Sequence, residues 1–127
     1  MTLQHKHLIV RAEISRCPNE EDLNKVTDWV RKLIKQIGMK LLGGPYGTYC
    51  NEAGNRGMTI VSIIETSHIA FHIWDEVSPG LLQFDVYSCA DFDPHVIFKA
   101  IDDFFGAVKI EYKFLDRENG LQEIAIP

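Results

Sequence analysis

The chain has 127 residues and a mass of 14.5 kDa, a length that suits one domain, residues 1–127, with a single hydrophobic core. Hydrophobic residues make up 46% and charged residues 24% of the chain, values near the soluble globular average that exclude the disordered, collagen-like and membrane classes. The formal net charge of −5, without a basic cluster, argues against a nucleic-acid binder.

The N-terminal part of the chain is predicted to hold a strand, a helix and a long loop. Residues 5–14 are rich in β-branched and apolar side chains without helical spacing, which indicates a strand. Asn19 is a candidate N-cap, and apolar residues then recur at intervals of three and four until Gly38, which is typical of an amphipathic helix. Residues 39–42 are predicted as a short strand, and the turn-rich segments that follow, up to Gly57, predict a loop.

Hairpin-linked strands dominate the middle of the chain. Three of them are predicted, at 58–64, 69–74 and 81–87. The turn between the first two contains Thr66, Ser67 and His68. Because such strands follow one another closely in sequence, we expect them to pair in antiparallel fashion.

The C-terminal part is predicted to hold a second helix and two strands. Asp93 is a candidate N-cap, Pro94 suits the first helical position, and Gly106 ends the apolar helical pattern. Alternation over 108–114 predicts a strand with one wet face, followed by a turn and a last strand at 121–126. This order of elements predicts an α+β fold: a two-layer sandwich whose two main helices lie on one face of a largely antiparallel sheet. The other face needs a cover, and a second copy of the chain is a candidate.

Composition also bears on the compartment. No apolar run approaches the roughly 20 residues that a transmembrane helix needs, and the N-terminus lacks the apolar segment of a signal peptide. Cys17, Cys50 and Cys89 are an odd number of cysteines without metal-ligand spacing, which fits a reducing compartment better than a disulfide framework. We therefore expect a cytoplasmic protein without a membrane partner.

One stretch, residues 65–76, concentrates polar groups in a hairpin that otherwise appears buried. His68 and His72 share one face of the predicted strand, and buried imidazoles need partners. A zinc pair is disfavoured because β-branched residues surround the histidines and no glutamate follows the first one, so no metal is predicted. A Ser-His hydrolase lacks the Gly-x-Ser-x-Gly elbow around Ser67. Hydrogen-bonded structural histidines remain a plain alternative.

The same residues carry a resemblance. Glu-Thr-Ser-His-Ile-Ala-Phe-His-Ile-Trp-Asp-Glu (65–76), Phe-Asp-Val-Tyr-Ser-Cys (84–89) and Asp-Phe-Asp-Pro (91–94) resemble the prokaryotic S-adenosylmethionine decarboxylase proenzymes, the small pyruvoyl-dependent family. The likeness runs from His7 to Pro127. It implies a lyase of polyamine and spermidine biosynthesis that is made as a zymogen and cleaves itself between Thr66 and Ser67. The products would be a β chain, residues 1–66, and an α chain, residues 67–127.

The resemblance assigns a role to each candidate catalytic residue. Ser67 would attack the carbonyl of Thr66 and end as the pyruvoyl cofactor, which forms a Schiff base with the substrate amine. His72 would serve the elimination step, and the hydroxyl of Thr59 would steady the tetrahedral intermediate. Because Thr59 lies far along an extended strand from Ser67, the family supplies these two residues from the other subunit of a homodimer. Cys89 would return a proton to the substrate α-carbon.

Substrate recognition is where this sequence departs from the family pattern. Glu76 matches the carboxylate that binds the two ribose hydroxyls, but the residue before the processed serine is Thr66 where the family has Glu, with Glu65 displaced by one. The aromatic residue that stacks on adenine has no ungapped match, and Tyr49 or Tyr46 is a candidate replacement. The resemblance implies S-adenosylmethionine as the small-molecule substrate, and these departures leave arginine or ornithine as alternatives. A further alternative is an uncleaved binding or regulatory homologue.

Overall fold

The structure, a computed structural model, describes residues 5–126. Its main elements in chain order are β1 (Lys6–Ile14), α1 (Leu23–Gln36), β2 (Leu41–Cys50), β3 (Gly57–Ile64), β4 (Ser67–Trp74), β5 (Gly80–Ser88), α2 (Pro94–Phe105), β6 (Ala107–Asp116) and β7 (Gln122–Glu123). The strands form one antiparallel sheet in the order β2-β3-β4-β5-β1-β6-β7. This confirms the predicted α+β sandwich. The predicted domain ends, residues 1–4 and 127, lie outside the described residues.

Both helices begin and end where their caps predict. Asn19 accepts a hydrogen bond from the Glu21 N–H, and its own N–H donates to Asp22, which caps a short 3-10 turn leading into α1. At α2, the Asp93 carboxylate accepts from the His95 N–H at 2.9 Å. Gly106 ends α2 in a left-handed conformation, φ +67°. In the part of the chain described, neither helix is long and apolar enough to cross a membrane.

The sheet has one buried and one uncovered face. Ile69, Phe71 and Ile73 of β4 point into the core, where the Trp29 ring of α1 meets Phe71 edge-on at a centroid distance of 5.7 Å. The alternate residues of each strand line the opposite side, which we call the open face. It carries His7, Ile9, Val61, His68, His72 and Asp85. The predicted alternation along β4 is therefore confirmed.

The predicted loop between 43 and 57 is wrong over its first half. Residues up to Cys50 form β2, an edge strand paired with β3, and only 51–56 are a loop. The glycines that suggested a loop instead accommodate register shifts in this strand. Gly44, for example, has φ +89°, and a Cβ there would lie 2.7 Å from the Tyr46 backbone nitrogen.

Two smaller expectations also need correction. The last strand, predicted at 121–126, contains only Gln122–Glu123, because Leu121 sits in a left-handed turn at φ +54° and the chain after β7 packs irregularly against the core. The turn predicted to hold His68 is shorter than expected. Glu65 and Thr66 form it, and β4 already begins at Ser67, so His68 belongs to the strand.

Candidate active site

The predicted cleavage bond lies at the tight turn that joins β3 to β4. The Thr66 carbonyl accepts a hydrogen bond of 3.0 Å from the Cys89 N–H. Ser67 has φ +147°, a backbone conformation that non-glycine residues rarely adopt and that costs about 1–3 kcal/mol. A polarised carbonyl and a strained residue therefore meet at the Thr66–Ser67 bond.

The side chain of Thr66 is held by a chain of hydroxyl groups. The Ala90 N–H donates to Ser88 Oγ at 3.0 Å, and Ser88 Oγ donates to Thr66 Oγ1 at 2.9 Å. The Thr66 hydroxyl in turn donates to the Met39 sulfur at 3.3 Å. Ser88 is fully buried, so water does not compete for these hydrogen bonds.

Cys89 follows β5 directly and reaches the cleavage turn because β4 and β5 are neighbours. Ser67 pairs with Ser88 in the sheet register, which places Cys89 one residue beyond that pair. Its side chain is half-buried and free of disulfide. Cys89 and Ser67 are therefore brought to the same end of the sheet.

Thr59 and His72 form a second group on the open face. They are cross-strand partners on β3 and β4, and Thr59 Oγ1 lies 2.8 Å from His72 Nδ1. The Trp74 ring packs beside the imidazole at a centroid distance of 5.7 Å. Because His72 is five residues beyond Ser67 in an extended strand, the two groups are separated by about 16 Å. Within one chain the structure does not bring them together.

Glu76 lies near the His72 end and closes the loop after β2. Its carboxylate accepts hydrogen bonds from the Arg56 N–H at 2.6 Å and the Gly54 N–H at 3.1 Å. These two backbone donors lower the pKa of Glu76. Glu65, by contrast, is exposed at the cleavage turn. The two candidate substrate carboxylates thus lie at opposite ends of β4.

Tyr49 faces the helices and not the open face. It pairs with the buried Met58 and packs against the core. Its hydroxyl donates to an Asp75 carboxylate oxygen at 2.7 Å, which, aided by burial, raises the pKa of Tyr49 to about 12. Tyr46, 62% exposed and paired with Val61, is the tyrosine of β2 that lies on the open face.

Sequence reasoning missed a cluster of His7, His68 and Asp85 on the open face. One oxygen of Asp85 accepts from Nε2 of both histidines at 2.8 Å. Burial alone would raise the pKa of Asp85, but the two histidine hydrogen bonds outweigh it and lower that pKa. The signal that was available is the spacing of Asp85 four residues before Cys89. The His7 contribution depends on β1 lying beside β5.

The cluster has the composition of a metal site but not the surroundings of one. Its three ligand atoms lie within 4.8 Å of one another. However, the Arg117 guanidinium donates to His7 Nδ1 at 3.3 Å, so His7 carries its proton on Nε2, the atom that a metal would need. A fixed positive charge beside the ligand also opposes a cation. Hydrogen bonding therefore explains these histidines better than metal binding.

Comparison with known proteins identifies the family of this chain. A sequence model described as S-adenosylmethionine decarboxylase matches residues 6–118. The chain belongs to the S-adenosylmethionine decarboxylase family. The matched segment includes every predicted site residue from Tyr49 to Cys89.

Individual members of the S-adenosylmethionine decarboxylase family share modest sequence identity with the chain. The S-adenosylmethionine decarboxylase proenzymes of Pyrobaculum arsenaticum and Pyrobaculum islandicum are 38% and 39% identical to the chain over 64 residues. Each alignment covers 50% of this chain and 50% of the relative. A crystal structure of the adenosylmethionine decarboxylase from Aquifex aeolicus VF5 superposes with a TM-score of 0.66 over 92% of both chains, at 18% identity. That last likeness shows the shared fold.

Proposed function

We propose that the chain is the proenzyme of a pyruvoyl-dependent S-adenosylmethionine decarboxylase acting in spermidine synthesis, and that it cleaves itself between Thr66 and Ser67. The observation that carries this proposal is the cleavage turn. A serine at φ +147° follows a carbonyl that already accepts the Cys89 N–H. Family membership supplies the chemistry to which that geometry is suited.

Cleavage proceeds in two steps, an acyl shift and an elimination, and hydrolysis by water then completes the pyruvoyl group. Ser67 Oγ attacks the Thr66 carbonyl carbon, the carbon–nitrogen bond breaks, and the hydroxyl proton ends on the freed amine, which leaves an ester. A base then removes the Ser67 α-proton, and the Cβ–Oγ bond breaks to release Thr66 as a carboxylate. The dehydroalanine that remains tautomerises to an imine, and water hydrolyses it to a pyruvoyl group and ammonia.

The residues at the turn fit the formation of this group. The Cys89 N–H lies where it can stabilise negative charge developing on the Thr66 oxygen. Release of the conformational strain at Ser67 favours breaking the bond. The pyruvoyl group would supply an electrophilic carbonyl for the substrate amine and a sink for the electron pair left when carbon dioxide departs. The Cys89 thiol is the nearby candidate to return a proton to the substrate α-carbon.

A homodimer would complete the site. Thr59 and His72 lie about 16 Å from Ser67 on one chain, too far to take part in its cleavage. The open face exposes Ile9, Val61 and Ile63 at 42%, 38% and 47% among its polar groups, as expected of a surface that a second copy covers. Two copies packed through this face would be related by a two-fold axis, and the partner is the proposed source of the Thr59 and His72 that act on Ser67.

The small-molecule substrate is proposed as S-adenosylmethionine, with arginine or ornithine as the rivals. Glu76 remains the proposed ribose ligand, although it would have to share its carboxylate with the loop that it closes. Tyr49 and Glu65 stay as predicted substrate contacts, and Tyr46 is the better-exposed aromatic. All three cysteines are free, which is consistent with the proposed cytoplasmic location.

Intact mass of the purified chain tests the proposal. We expect two fragments that break between Thr66 and Ser67, with the C-terminal one carrying a ketone in place of an amine. Ser67→Ala should stay uncleaved, while Ser15→Ala, which removes an exposed serine at the far end of β1, should cleave normally. Carbon dioxide release is then measured with the three substrates. An intact 14.5 kDa chain after long incubation would instead support an uncleaved regulatory homologue.

A further inference from the structure

We propose that Ser88 is a positioning residue for self-cleavage, acting through the hydroxyl of Thr66. This inference rests on the proposed function, because it concerns the bond that the proposed reaction breaks. It deepens that function by giving a role to the threonine that stands where the family has glutamate.

The hydrogen bonds around Ser88 run in one direction. Its hydroxyl accepts from the Ala90 N–H at 3.0 Å, which leaves its single proton for Thr66 Oγ1 at 2.9 Å or for the Ala90 carbonyl at 3.0 Å. The Thr66 proton is directed to the Met39 sulfur at 3.3 Å, so Thr66 Oγ1 has a lone pair free to accept. Of the two acceptors, Thr66 Oγ1 lies closer to the Ser88 hydroxyl and has a free lone pair, so the Ser88 proton goes to Thr66.

The backbone next to Ser88 holds the same residue a second time. The Cys89 N–H donates to the Thr66 carbonyl at 3.0 Å, so residues 88 and 89 hold Thr66 by its side chain and by its carbonyl. Two attachments on opposite sides of the Thr66 α-carbon prevent the scissile peptide from rotating. A fixed peptide plane keeps the carbonyl carbon within reach of Ser67. This lowers the entropy that is lost when the intramolecular attack begins.

A purely structural role for Ser88 makes a different prediction. Ser88 also closes the turn after β5 by accepting from the Ala90 N–H, and the Ala90 carbonyl is a second acceptor for its proton at 3.0 Å. If that were its whole purpose, removal of the Thr66 hydroxyl would leave cleavage unchanged, because the contacts between Ser88 and Ala90 would persist. A positioning role requires the Thr66 and Ser88 substitutions to have the same, shared effect.

Cleavage rates of pulse-labelled chains from cell-free translation test this. Ser88→Ala and Thr66→Val should each slow cleavage about tenfold, the value of one hydrogen bond, and the double variant should be no more than about twofold slower than the slower single one. Thr66→Ser, which keeps the hydroxyl, should cleave at least as fast as the unsubstituted chain. The matched control is Ser62→Ala, which removes another fully buried serine hydroxyl from the sheet without touching Thr66.

Hydroxylamine identifies the step that is slowed. The slow variants should accumulate a precursor that hydroxylamine does not cleave, since attack on the carbonyl has not yet formed the ester. Three results would overturn the role of Ser88 while leaving the proposed function intact. They are accumulation of a hydroxylamine-sensitive ester, rate effects of the Ser88 and Thr66 substitutions that multiply independently, and a Ser88→Ala chain that cleaves at the normal rate. Failure of the unsubstituted chain to cleave would overturn the proposed function with it. If Ser88→Ala does not fold, Thr66→Val against Thr66→Ser decides.

Discussion

Thr59 Oγ1 lies 2.8 Å from Nδ1 of His72 on the open face of the sheet, five strand positions away from the serine that these two residues are proposed to serve. The pair is already formed within one chain, so it does not need the partner in order to assemble. What a partner would provide is proximity to Ser67. This separation leads to the first prediction.

Co-expression of two inactive variants should restore cleavage. Ser67→Ala retains His72, and His72→Ala retains Ser67, so a mixed dimer contains one complete site. We expect each variant alone to stay uncleaved and the His72→Ala chain to be cut only when both are present, as measured by intact mass. Two His72→Ala preparations that carry different tags serve as the control. Cleavage of His72→Ala by itself would show that sites are not shared through this residue.

Ser62→Ala should stabilise the fold. Ser62 is fully buried on the helix side of β3, and its hydroxyl has no hydrogen-bond partner among the described residues. Because an unpaired buried hydroxyl carries an uncompensated desolvation cost, its removal should raise the free energy of unfolding by about 1 kcal/mol. Urea denaturation in the uncleaved Ser67→Ala background measures the change. Ser88→Ala in the same background should lower the free energy, since it breaks formed hydrogen bonds.

Asp85 should contribute stability that disappears in acid. Its folded-state pKa lies below the ordinary value of 3.8, so its contribution is fully present above that value and is lost as the pH falls through the lower folded pKa. The difference in free energy of unfolding between the unsubstituted chain and Asp85→Asn should therefore be largest above about pH 4 and shrink below it. Urea melts across this range measure it, with Asp28→Asn, an exposed helix carboxylate, as the control.

A constant difference across the acid range would contradict the prediction. It would mean that Asp85→Asn destabilises the fold through the changed geometry of the hydrogen bonds and not through the loss of the charge. If the prediction holds, His7→Gln, which removes one of the two donors, should give a smaller acid-dependent change in the free energy of unfolding than Asp85→Asn.

Cys17 should react slowly with alkylating agents. Burial, followed by the nearby Asp75 charge, raises the pKa of its thiol to about 11, so at pH 8 only about one molecule in a thousand is the reactive thiolate. Iodoacetamide labelling followed by peptide mass should therefore modify Cys17 last among the three cysteines. Cys17→Ser should leave the labelling rates of the other two unchanged. Rapid modification of Cys17 at pH 8 would show that its burial is transient.

Local chemistry made much of the fold predictable. Asp93, Pro94 and Gly106 each favour one position at a helix end, and the structure has them there. The alternation along β4 fixed which histidines share a face because side chains on a strand alternate strictly. The glycines before Cys50 misled the prediction, since a bulged edge strand and a loop call for the same residue types.

Long-range pairing accounts for what the sequence did not reveal at the site. His7 meets Asp85 and His68 only because β1 inserts between β5 and β6, and no local pattern near His7 encodes that. The hold of Ser88 on Thr66 likewise depends on the register of β4 against β5. Ser67, by contrast, was recognisable because the motif around it is contiguous.

The place of β1 in the sheet also determines what a cut after Thr66 would do to the molecule. The N-terminal fragment would contain β1, β2 and β3, and the C-terminal fragment would contain β4, β5, β6 and β7. In the order β2-β3-β4-β5-β1-β6-β7, the seams β3–β4, β5–β1 and β1–β6 would each join one fragment to the other. Strands of the two fragments would alternate in the sheet and share its backbone hydrogen bonds, so the fragments would stay together until the whole sheet unfolds.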